Sequence, residues 1–225
     1  MSMNTTLLPR IAARVLNVPL MIQREKLDTI LAVLSPRLGL AEPEGGNPFV
    51  DTTDKPFKRE SRLEGGIAVI DVCGSLVHET NGAAPFSGLL PYQTVARDLG
   101  AAVADPAVQG ILLRLDTPGG ECAGAWDLAD AISAAAQEKP LAAVACDLAA
   151  SAGYLLAAAA PQLFVTQSAL VGSIGVIMRH VDVTRANAEI GVKVTEIYAG
   201  ARKADTSPHR PLDDEATAEL RRTVE

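Results

Sequence analysis

Aromatic side chains are the scarcest large residues in this chain of 225: 4% of the total, with one Trp, three Tyr and four Phe. A core drawn from that supply has to be aliphatic, with abundant alanine allowing backbones to approach closely. Cysteine is scarce too, and Cys73, Cys122 and Cys146 form no CxxC pair and no Cys/His cluster at metal-ligand spacing. This excludes a disulfide scaffold and a structural metal site, so the three dispersed thiols read as small core residues in a reducing compartment. No metal and no other cofactor is expected. A basic excess is also missing, since Lys and Arg number 20 against 27 Asp and Glu, for a formal charge of -7 and a pI near 5.0. Nucleic acid and anionic membrane are thereby excluded as main partners, because a phosphate surface rewards a basic face. Long apolar runs are lacking as well. Arg10 and Arg14 interrupt the N-terminal stretch, unlike a signal peptide, and the most apolar run, Leu148 to Pro161, is too short to span a bilayer. A soluble, intracellular chain is expected.

What is present is a globular composition, 48% apolar and 21% charged, with mean hydropathy +0.18. A chain this long buries roughly 70% of its unfolded surface and needs no staple to fold. No fixed-period repeat is visible. Residues 1–40 read as an N-terminal helical segment in two short pieces, the second carrying Ile22, Leu27, Ile30, Leu31 and Leu34 at helical spacing. Residues 41–64, rich in Pro, Gly and charge, read as a linker. From residue 65 onwards apolar strands alternate with helical stretches. Strands are expected at Ile67–Val72, Ile111–Leu115, Leu141–Ala145, Leu163–Val165 and Val192–Tyr198. Helices are expected at Tyr92–Ala104, Ala123–Gln137, Ser151–Ala160 and Arg185–Ile190. Strands apolar on both faces, alternating with helices, predict an α/β domain over 65–225 whose parallel strands are covered by helices. The tail from Asp213 to Arg222 places acids in its first turn and Arg in its last, as a helix dipole prefers, and the chain stops at Glu225 without a cap. A natural protein that continues beyond this point is expected.

Three places hold residues suited to chemistry. In Leu115-Asp-Thr-Pro-Gly-Gly-Glu121, Gly119 and Gly120 join a strand to a helix and leave backbone N–H groups uncovered. Such donors suit an anion or an oxyanion, and equally a plain turn. In Asp147-Leu-Ala-Ala-Ser-Ala-Gly-Tyr154, Ser151 stands among small residues at a second strand-to-helix junction. It fits a nucleophile with an unshielded hydroxyl, or an N-capping serine. In Leu170-Val-Gly-Ser-Ile-Gly-Val-Ile-Met178, Gly172 and Gly175 flank Ser173, which reads as a bent strand. A serine nucleophile needs a base. His78, His180 and His209 carry no local motif, while Lys203 follows the 192–198 strand through a Gly-containing turn. As a base, Lys203 would need apolar burial to bring its pKa from about 10.4 toward 7–8. Otherwise it is a solvated loop lysine.

Taken in order, PGG (Pro118 to Gly120), SAGY (Ser151 to Tyr154), GSIGV (Gly172 to Val176) and AGARKAD (Ala199 to Asp205) resemble the signal-peptide-peptidase family of Ser-Lys proteases. The resemblance narrows to the head maturation proteases of tailed phages. That branch shares Leu8-Pro-Arg-Ile-Ala12, Asn17-Val-Pro-Leu-Met21, Gly66 to Ile70, Gly74 to His78 and Gly110 to Leu113. It implies a Clp-protease/crotonase-like spiral of ββα units. It further implies Ser151 as nucleophile, Lys203 as general base and Ser173 as the residue that orients the lysine. Gly120 and Ala152 would supply the oxyanion hole, with Gly119 lining the substrate site. The implied partners are scaffold and capsid proteins as substrates, cleaved in an assembling prohead in the host cytoplasm, with a homo-oligomeric ring as the assembly. Two other readings stand beside it: a non-catalytic capsid assembly protein that keeps the fold, and an acyl-CoA enzyme using the PGG turn as its oxyanion hole.

Overall fold

The computed structural model describes residues 13–34, 61–79 and 88–225. Along the chain run β1 (Leu20–Ile22), α1 (Arg24–Leu34), β2 (Arg62–Glu64), β3 (Ile67–Cys73), β4 (Ser75–Val77) and β5 (Leu89–Pro91). Next come α2 (Tyr92–Ala104), β6 (Gly110–Thr117), β7 (Gly119–Glu121), α3 (Ala125–Glu138), β8 (Leu141–Ala150) and α4 (Ala152–Ala158). Last are β9 (Leu163–Val165), β10 (Leu170–Gly172), α5 (Thr184–Glu189) and α6 (Asp214–Val224). The first expected helical piece lies partly outside the described residues, and its described part, residues 13–16, is turn and bend rather than helix. Nearly all of the expected linker lies outside the described residues, while the second piece is α1. The chain divides into two compact units, one made of Leu20–Lys26 and Asp51–Val176, the other of Met1–Pro19, Leu27–Val50 and Ile177–Glu225.

The larger unit holds two sheets. One runs in the order β10-β8-β6-β3-β2 with β9 also on β8; all its pairings are parallel except β2 with β3. The other runs β1-β7-β4-β5, where β1 is antiparallel to β7 and the remaining pairs are parallel. The α/β class with parallel strands and helices is therefore as expected. Its core is aliphatic. Ile70, Val72, Leu113, Leu115, Ala143 and Ala145 from the large sheet are buried with Val95 and Leu99 of α2, Leu128 and Ile132 of α3, and Leu156 and Ala157 of α4. Each fully buried Leu or Ile there contributes about 1.5–3 kcal/mol.

One expectation needs correcting. The strands are not apolar on both faces: along β6 and β8 buried residues alternate with half-buried or exposed ones. Leu113 and Leu115 point to the core, whereas Arg114, Asp116, Val144 and Cys146 do not. On that second face Asp71, 3% exposed, accepts a hydrogen bond of 2.6 Å from Arg114 Nε, and Arg62 stands 3.8 Å from its other oxygen. A buried carboxylate is tolerable only with such partners. Alanine, valine and cysteine blur the alternation when the sequence is read for hydropathy alone.

The smaller unit is less regular. Asn17 ties it internally, its N–H donating to the Arg179 carbonyl at 2.9 Å and its side-chain amide to the Thr206 carbonyl. Asp213 caps α6 by accepting from the Ala216 N–H at 2.7 Å, as the acidic first turn predicts. The strand expected at Val192–Tyr198 is absent. The segment has no ladder partner among the described residues, and its apolar side chains stand in solvent, Ile197 at 97% exposure. An alternating pattern makes a strand only where another strand completes the ladder.

Candidate active site around Ser151

Strands β6 and β8 run side by side, and their ends carry the two turns of interest. Between Leu115↔Ala145 and Thr117↔Ala149 the register slips, so β8 carries extra residues opposite Asp116. The slip brings the end of β8 alongside the Pro118-Gly119 turn. Asp116 and Asp147 sit at this irregularity; partial burial, and then the Asp147 charge, push the Asp116 carboxyl above its ordinary pKa.

Ser151 occupies a strained backbone position, φ 55° and ψ -116°, between β8 and α4. A non-glycine residue held there costs on the order of 1–3 kcal/mol and persists only where its surroundings enforce it. Here they do. The Ser151 N–H donates to the Gly172 carbonyl at 2.7 Å, and its own carbonyl accepts from Leu155 N–H. The capping reading fails, because the side chain makes no cap hydrogen bond. The hydroxyl instead donates to the Gly175 carbonyl at 3.3 Å. Nor is it open to solvent: Ser151 is 3% exposed. Small neighbours, expected to leave the hydroxyl unshielded, instead let other backbones close over it.

Gly119 is one of those backbones. A Cβ on it would fall 2.8 Å from the Ala150 carbonyl oxygen, 3.0 Å from the Ala152 nitrogen and 2.2 Å from the Met21 carbonyl oxygen. Its φ is 89°, so glycine is required both by space and by torsion. A Cβ on Gly120 would instead point at the Leu76 backbone. The Ala152 amide opens α4 and has no acceptor inside that helix.

Two residues that sequence reasoning passed over hold this arrangement. Thr117, fully buried, donates through Oγ1 to the Gly74 carbonyl at 2.7 Å and accepts from the Gly119 N–H at 3.1 Å. Its methyl lies where a Cβ on Gly153 would be, 2.4 Å away. Glu121 anchors the far end of β7: its side chain accepts from the His78 N–H at 2.7 Å and its carbonyl from the Tyr92 hydroxyl at 2.7 Å. A β-branched hydroxyl just before Pro-Gly-Gly was the available signal for Thr117.

The structure thus gathers Ser151, Ala152, Gly119 and Gly120 in the larger unit. Ser173 lies in the same unit, exposed, with φ 52°, between Gly172 and Gly175, whose carbonyls both bond Ser151. The bent strand expected there ends at Gly172. Lys203 belongs to the smaller unit, exposed in a turn beside a cleft of about 440 Å³ that Glu196, Tyr198 and Ser207 also line. Its own unit supplies none of the apolar burial a lysine base needs. The cysteines behave as small half-buried residues: desolvation, with Asp71 adding to it, pushes the Cys73 thiol up to about 11, and desolvation alone takes Cys122 to about 11. Among the described residues no three metal-ligating side chains cluster, and no helix is long and apolar enough to cross a membrane.

Ser151 thus stands buried on a strained strand-to-helix elbow, facing the Gly119 turn at the end of the neighbouring parallel strand. Residues 133–225, which include Ser151, Ser173 and Lys203, match the family model described as Peptidase family S49. Its relatives include capsid assembly protease C of Escherichia phage lambda, 38% identical over 228 residues, 95% of this chain and 52% of that protein. Head-tail preconnector protein GP5 of Enterobacteria phage P21 is 42% identical over 167 residues, 74% of this chain and 33% of that protein. The chain spans about half or less of these relatives' length. A solved enoyl-CoA hydratase/isomerase family member overlays with TM-score 0.39 at 17% identity, over 62% of this chain and 55% of its own.

Proposed function

We propose that this chain is a serine endopeptidase of phage head assembly, acting on scaffold and capsid-associated proteins within the prohead in the host cytoplasm. The observation that carries the reading is Ser151: strained, buried, not used as a cap and set against Gly119. The peptidase S49 match and the names of the phage relatives support the reaction class and the setting.

In this reading Ser151 Oγ attacks the scissile carbonyl while Lys203 Nζ takes its proton and later delivers one to the leaving amine. Ser173 orients the lysine, and the amides of Gly120 and Ala152 stabilise the oxyanion, with Gly119 lining the peptide site. A homo-oligomeric ring is the proposed assembly. The spiral fold that the family resemblance implies would frame the site.

The test is cleavage of a denatured protein substrate, read by mass spectrometry, for wild type, Ser151→Ala and Lys203→Ala. Ser151→Ala is expected to lose on the order of 10⁴-fold or more in rate, and Lys203→Ala about 10²–10⁴-fold. A folded wild type that cleaves no better than Ser151→Ala would overturn the proposal in favour of a non-catalytic assembly role.

A further inference from the structure

Leu20–Ile22 lies along β7, beside the Gly119 turn that meets the Ser151 elbow. The strand runs antiparallel to β7, with Met21 against Gly120 and Ile22 against Gly119. The pairing carries on through Gln23, whose N–H donates to the Pro118 carbonyl at 2.8 Å. All three residues of β1 are buried. One point in space ties them to the elbow: the missing Cβ of Gly119 would touch the Met21 carbonyl, the Ala150 carbonyl and the Ala152 amide together. The Met21 backbone and the Ser151 elbow therefore meet across a residue with no side chain.

Sheet edges recruit extended peptides through main-chain pairing, and side-chain burial then sets the preference. β7 is three residues long, with β4 on its other side, so the edge held by β1 is the one turned to a partner strand. Leu20, Met21 and Ile22 fill it with apolar side chains. We infer that β1 is an internal pseudosubstrate: it occupies the peptide-binding edge of β7 beside Ser151, and the same edge takes an extended apolar peptide once β1 leaves. The consequence for activity rests on the reading of Ser151 as nucleophile; the exchange of strands does not. With β1 in place Ser151 is closed off, in accord with its burial.

Two measurements on the full chain test this. In the unmodified protein, the Gln23 amide, which donates to the Pro118 carbonyl, should exchange hydrogen about 100-fold faster than the amides of β6, because β1 detaches without global unfolding. Exchange as slow as that of β6 makes β1 a permanent core strand and overturns the inference. Next, a Leu20→Asp/Ile22→Asp variant is compared with wild type using a fluorophosphonate that labels serine nucleophiles, with and without a synthetic peptide of residues 17–26. Labelling should rise about 10-fold in the variant, as a population shift of that size predicts, and the peptide should suppress it. Equal, Ser151-dependent labelling in both proteins sinks the inference and leaves the protease reading standing. If neither protein labels, fluorescent peptide binding decides: binding to the variant above wild type upholds the strand exchange while the protease reading falls, and equal binding ends both.

Discussion

Two sets of glycines approach Ser151, and they are glycine for different reasons. At Gly119 and Gly120, and at Gly153 just past the serine, a Cβ would fall within 1.8 to 2.4 Å of a backbone oxygen or of the Thr117 methyl. At Gly172 and Gly175 nothing lies within 4 Å of that position, yet φ is 112° and 140°. The first set is demanded by packing and the second by torsion alone. Packing on all sides immobilises a backbone, whereas an open positive-φ segment is held only by its own hydrogen bonds. The β7 side of the site is therefore a rigid wall, and the 172–175 side is a loop fastened to Ser151 through two carbonyls.

The comparison is sharpened most by Gly120→Ala. Its Cβ would sit 1.8 Å from the Leu76 carbonyl oxygen, and since backbone cannot rotate away, a loss above ~3 kcal/mol is expected. Calorimetry should show a Tm collapse or no folded protein. Gly153→Ala should cost about 1–3 kcal/mol by overpacking. Because the obstacle is the Thr117 methyl, adding Thr117→Ser, which keeps the hydroxyl, should recover part of that loss. A double-mutant cycle should return a coupling of about 1–2 kcal/mol; additivity would show the clash lies elsewhere. Gly175→Ala should cost the least, about 1–2 kcal/mol from the left-handed torsion. A Tm loss there as large as that of Gly120→Ala would break the distinction between the two sets.

Much of the fold is legible in the sequence. Helices α2 and α3 follow from apolar residues at helical spacing, and Asp213 with its acidic neighbours announces α6. The strands β3, β6, β8 and β9 follow from β-branched and aliphatic runs. Other features are not legible. Val192-Lys-Val-Thr-Glu-Ile-Tyr198 alternates like a strand, but nothing in a local pattern says whether a ladder partner exists. β1 is only three residues long before Gln23, too short to show a period. Cys146 and Val144 count as apolar in a hydropathy reading although they lie on the less buried face. For the site, Ser151 and Gly119 stand out through their small neighbours and their place at strand ends. Thr117 does not, because its role is to hold Gly74 and Gly119 together, and Gly74 is 43 residues away.

By itself the sequence determined which segments become helices and parallel strands, because periodicity, β-branching and capping act within a few residues. It also determined that any nucleophile at the end of β8 would be a serine among small residues. Only the tertiary structure decided that Ser151 is strained and covered, that the side-chain position of Gly119 is the one facing the elbow, and that Leu20–Ile22 fills the edge of β7. Those outcomes depend on register slip and on contacts between segments far apart in the chain, where the free energy of a close approach is set by which atoms meet.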